Sequence, residues 1–190
     1  MIAAPMLELS IMDVVVWGAF CVACWTDLTT KRIPNALTFP LWGIGVVYYL
    51  VFGPWWVGLM GLAITLPLHF ALFALGIDKG GDAKLMVGAG ACLGWWVALE
   101  ATVWHVLLML PVGLILAALM GRLPNVWRTF KHLFKRIYYA VMKLEAGPGP
   151  EQTYVAKAPV LIVGLVLARF TPWLETLLLD DATRAWVQGG

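Results

Sequence analysis

Long apolar runs broken by short polar or Gly-Pro stretches set the pattern of this chain, and each run approaches the about 20 residues a helix needs to cross a bilayer. Six such segments are predicted. The first covers about 10–26 and closes on Asp27, and the second covers about 36–52 and stops at Gly53-Pro54. The third starts at Trp55-Trp56 and runs to about 76; the fourth covers about 83–99 and the fifth about 101–120. The sixth, about 158–179, is interrupted by Arg169, Pro172 and Glu175. The fold class expected is all-α: a polytopic membrane protein with about six transmembrane helices in a single domain over 1–190. Between the last two segments, Trp127, Phe130, Leu133, Phe134, Ile137, Tyr138 and Val141 recur at helical spacing, with Arg128, Lys131, Lys135 and Arg136 opposite them. That spacing predicts an amphipathic helix within about 121–157, lying either on the inner membrane surface or on the protein's own surface. Gly147-Pro148-Gly149-Pro150 is a linker, and the chain has no internal repeat.

Composition agrees with the pattern. The chain is 62% apolar and 13% charged with a mean hydropathy of +0.84, well outside the soluble range. A net charge of +2 says little, but eleven of the thirteen Lys and Arg fall at 31–32, 79–84 and 122–157. By the positive-inside rule the loops after segments one, three and five are cytoplasmic and both termini are outside. Trp55-Trp56 and Trp95-Trp96 then mark the outer interface. Trp95 lies about 20 Å along a helix from Asp82, which puts that carboxylate near the cytoplasmic face. Residues 1–10 have no basic start and no small-residue cleavage site, so the first helix is expected to stay in the membrane. Cys21, Cys24 and Cys92 are too few for a disulfide framework.

Few chemistries survive inspection of the polar residues. Ser10 is the one serine and has no histidine nearby, which removes a serine nucleophile. His69, His105 and His132 are scattered without metalloprotease spacing and are assigned to packing or interface roles. Cys21-x-x-Cys24 has no second pair to complete a zinc site and reads as two small hydrophobes. Asp27 and Asp82 remain. Singly, Asp27 reads equally as an interfacial carboxylate satisfied by Lys31 or Arg32, and Asp82 as a helix N-cap. Jointly, two carboxylates on one membrane face suit the aspartic mechanism, in which an adjacent pair shares one proton and activates a water held between them. Asp78, beside Lys79, reads as a solvated loop charge. Intramembrane carboxylates also serve transport, so a proton-coupled transporter or channel subunit is the alternative, and a non-enzymatic assembly factor a third.

Two motifs around these aspartates resemble those of the type IV prepilin peptidases. Asp27 is followed by Lys31-Arg32-Ile33-Pro34-Asn35, and Gly81-Asp82-Ala83-Lys84-Leu85 resembles the family's Gly-x-Gly-Asp-x-Lys-Leu, with Lys79 at the first glycine. Lys157-Ala158-Pro159 resembles the start of the family's last helix. The resemblance implies that Asp27 and Asp82 are the catalytic pair and that the substrate is a prepilin-like protein, cut between a short basic leader and an apolar N-terminal helix at the cytoplasmic face of a bacterial inner membrane. The short first loop implies the peptidase-only form, similar to enzymes of tight-adherence (Flp-type) pili. Gly80 and Gly81 are assigned to the turn and to substrate approach, and Lys84 either to tuning a carboxylate or to reaching the interface. The partners expected are the substrate and the lipid bilayer, with no nucleic acid, cofactor or metal.

Overall fold

The computed structural model describes residues 10–119 and 157–171, with isolated positions at Lys131, Phe134, Lys135, Tyr138, Tyr139, Met142, Leu178 and Thr183. Six helices fill the two continuous stretches, and no strand occurs among the described residues. α1 is Ile11–Thr30, α2 Asn35–Phe52, α3 Trp55–Ala74, α4 Gly80–Leu93, α5 Trp95–Leu119 and α6 Ala158–Phe170. Of these, α1, α2, α3 and α5 are long and apolar enough to cross a membrane. The amphipathic helix expected within 121–157 and the end of the sixth segment lie outside the described residues, apart from the isolated positions.

Local chemistry sets the boundaries. Ser10 caps α1 in a reciprocal box with Asp13: the Asp13 amide donates to Ser10 Oγ at 3.2 Å, and the Ser10 amide donates to Asp13 Oδ2 at 2.8 Å. At the other end Lys31 takes a left-handed conformation (φ 57°) and its amide donates to the Asp27 carbonyl at 3.1 Å. Asp27 therefore sits inside the last turn of α1, not beyond its end. Pro34 and Pro54 stand immediately before α2 and α3, positions that need no backbone donor. Gly76 (φ 78°) turns the chain after α3.

The largest departure from expectation is between α4 and α5. The break anticipated near Glu100 occurs at Gly94, whose φ of 89° and ψ of 156° no side-chain-bearing residue adopts readily. Glu100 is instead buried inside α5, and Trp95-Trp96 open that helix. α4 is left with 14 residues, about 21 Å, too short to cross a hydrocarbon core about 30 Å thick.

α4 is the centre of the molecule. It packs against α1, α2, α3 and α5, while α6 lies against α5 and α1. Every residue from Leu85 to Cys92 is buried, so this stretch of the helix is enclosed on all sides. Backbone proximity makes this possible: a Cβ on Gly45 would lie 2.6 Å from the Ala91 carbonyl, and one on Gly61 would overlap the Gly90 carbonyl. Polarity is distributed inside-out. Asp13, Asp27, Thr38, Thr65, His69, Asp78, Asp82, Glu100, Thr102 and His105 are buried, whereas Ile11, Val14, Val22, Trp25, Leu28, Phe39, Val47 and Phe70 are exposed. Such a surface suits lipid and not water.

Candidate active site

One end of the bundle collects the C-terminus of α1, the N-termini of α2, α4 and α6, and the loop from α3. Residues far apart in sequence meet there around a cleft of about 210 Å³ lined by Asp27, Lys31, Arg32, Ile33, Lys79, Gly81 and Asp82. Both predicted carboxylates are thus in one cleft, and both are nearly inaccessible, at 3% and 2% exposure.

Their surroundings differ. Asp27 Oδ2 accepts two backbone hydrogen bonds from the start of α6, from the Lys157 amide at 3.0 Å and the Ala158 amide at 3.2 Å. Asp82, the third residue of α4, has a buried Oδ2 with no hydrogen-bond partner. Lys157, Asp27, Lys79 and Asp78 all lie within electrostatic range of it. Lys79, in the loop ahead of α4, lines the same cleft; burial pulls its ammonium below the usual lysine range, while the Asp82 and Asp27 carboxylates pull the other way. Two acids, the three cationic side chains of Lys31, Arg32 and Lys79, and one unsatisfied carboxylate oxygen suit the holding and polarising of a small polar molecule.

The two sequence motifs are docked onto each other. Ile33 packs over Gly81, where an added Cβ would stand 3.0 Å from Ile33 Cβ, so the glycine admits the first motif to the second. Lys84 Nζ donates to Asn35 Oδ1 at 2.9 Å and sits 5.1 Å above the Phe39 ring. Lys84 thereby staples α4 to α2, while Trp42 Nε1 donates to the Lys84 carbonyl at 2.7 Å. Gly80 and Gly81 have helical backbone as the first two residues of α4, and the left-handed turn falls earlier, at Gly76. Of the residues assigned supporting roles, Gly81 lines the cleft; Gly80 and Lys84 are not in its lining.

Several polar residues have roles the sequence did not disclose. Asp78 is not a solvated charge: it is 6% exposed, and its Oδ2 lies 2.9 Å from His69 Nδ1. His69 Nε2 reaches the Thr102 hydroxyl at 3.2 Å, and that hydroxyl donates to the Ala98 carbonyl at 2.7 Å. This network ties the loop before Asp82 to α3 and α5. At the far end, Arg169 of α6 meets the buried Asp13 of α1 with two bonds, Nε to Oδ1 at 2.8 Å and a terminal nitrogen to Oδ2 at 3.1 Å. A charge inside an apolar segment signals such pairing in sequence, but not the partner's identity. Among the described residues, no group of three or more His, Cys, Asp or Glu side chains is disposed to hold a metal ion.

Comparison with known proteins adds one finding. Residues 14–124, more than half of the chain and including both aspartates, match the model of the type IV leader peptidase family. No curated protein and no solved structure matches the chain.

Proposed function

The chain belongs to the type IV leader peptidase family, and from that membership we propose that it is a membrane aspartic endopeptidase in which Asp27 and Asp82 activate one water. The substrate is the N-terminal leader of a prepilin or pseudopilin, cut at the cytoplasmic face. The enzyme is a single polytopic domain of the bacterial inner membrane, with the 121–157 connection on the cytoplasmic side and both termini outside.

The observation that carries this reading is the shared cleft, in which one carboxylate is anchored by two amides and the other keeps an unpaired buried oxygen. In the aspartic mechanism the two carboxylates share one proton, because two adjacent negative charges are costly in a poorly solvated site. The ionised carboxylate takes a proton from the water as its oxygen attacks the scissile carbonyl, and the protonated one hydrogen-bonds the carbonyl oxygen as charge develops there. The tetrahedral adduct then collapses, the C–N bond breaks, and the departing amine receives a proton from the pair. Lys31, Arg32 and Lys79 around the rim supply a positive field near the developing oxyanion. Burial of both acids excludes bulk water that would screen these interactions.

Co-expression with a prepilin-like substrate tests the proposal. Asp27→Asn and Asp82→Asn should each abolish leader removal while the protein still accumulates in the membrane. Cleavage that continues in either variant overturns the two-aspartate mechanism.

A further inference from the structure

The start of α6 presents a small problem in hydrogen bonding, and its solution implicates the site. Val160 and Leu161 donate to the Lys157 carbonyl, each at 3.0 Å, and Pro159 has no amide proton. That leaves the amides of Lys157 and Ala158. Ala158 is fully buried, and Lys157, the N-cap residue, makes no side-chain cap. Buried amides need an acceptor. Both find Asp27 Oδ2, so a side chain from α1, 130 residues away, caps α6. The Lys157 side chain turns elsewhere, and its Nζ donates to the Ile77 carbonyl in the loop between α3 and α4, five residues before Asp82. One residue therefore grips Asp27 with its main chain and the segment leading to Asp82 with its side chain. It lies beyond the residues that match the family.

We propose that Lys157 is a positioning residue that sets the spacing of the two carboxylates, joining Asp27 to the loop that delivers Asp82. The inference rests on the peptidase reading above. Removing the ammonium leaves the amide cap of Asp27 intact but releases the Ile77 loop, so the two acids lose their common reference. Misplacement of reacting groups by about 1 Å costs up to about a hundredfold in rate. Lys157→Met should then lower kcat roughly ten- to a hundredfold, with KM changed less than about twofold because substrate binding elsewhere is untouched. Its unfolding midpoint in detergent should stay close to that of the parent protein. Lys157→Arg, which keeps a long donor, should recover most of kcat. Full kcat in Lys157→Met overturns the proposal, as does a rise in KM at constant kcat or a failure of Arg to rescue.

A second measurement needs neither substrate nor the Met variant. Hydrogen exchange at the Lys157 and Ala158 amides should quicken in Asp27→Ala and stay slow in Asp27→Asn, which retains a side-chain oxygen. Equal exchange in all three proteins overturns the clamp. Persistent cleavage by Asp27→Asn would instead remove the two-aspartate mechanism on which the inference rests, so the two failures are told apart.

Discussion

Asp78 and Asp82 stand four residues apart at the approach to α4, yet one carboxylate is tied to His69 and the other has a buried oxygen with no donor. The first is a structural anchor, since it fixes the loop that sets where the second points. Removing it leaves His69 Nδ1 buried without its partner, a loss of about 1–3 kcal/mol for an orphaned buried polar group. Asp78→Ala should therefore lower the unfolding midpoint, measured in detergent by circular dichroism, and lower cleavage in parallel because the loop loosens. A variant as stable as the parent would show that the His69 contact contributes nothing. Nothing near Asp78 in the sequence marks it as different from an ordinary loop acid: it sits beside Lys79, and its partner is nine residues back on an apolar helix. Asp27 and Asp82 were more legible because each stands in a local motif.

At the scale of elements, α1 to α3 were readable to within a few residues, because proline and glycine punctuate them at 34, 53, 54 and 76. α4 was not. The run from Leu85 to Leu99 has no polar residue, and its three glycines at 88, 90 and 94 read equally well as packing residues, so nothing singled out Gly94 as the break. Positive φ is invisible in a sequence without a turn motif around it. The short α4 explains the glycines of its neighbours. Gly45 and Gly61 let α2 and α3 touch its backbone directly, and Tyr49 and Trp42 donate to its carbonyls at Cys92 and Lys84. Any side chain at 61 must push α3 away from α4. Gly61→Val should destabilise by at least the about 1–3 kcal/mol typical of an overpacked core, read as a lower midpoint in denaturant titration. Gly18→Val, where an added Cβ meets nothing within 4 Å, is the control and should be neutral.

For the whole molecule, α1 and α6 run antiparallel and are pinned at both ends, by the Asp27 cap at one and by Asp13 with Arg169 at the other. Arg169 is partly exposed while Asp13 is buried, so losing the arginine strands a carboxylate. Arg169→Met should cost about 3 kcal/mol, the low end for breaking a buried pair, because Ser10 still donates to Asp13. Asp13→Leu combined with Arg169→Met should be less damaging than Arg169→Met alone; simple additivity in a double-mutant cycle would show that the pair is not coupled. Neither pin is evident from local sequence, since their partners are separated by 130 to 156 positions. The cap on Asp27 also bears on biosynthesis. A ribosome delivers α1 through α5 first, and the amides that hold Asp27 arrive only when residues 157 and 158 leave the translocon. A nascent chain stalled before that point has both acids but neither amide that caps Asp27, so on the peptidase reading leader removal should wait until the start of α6 is in place.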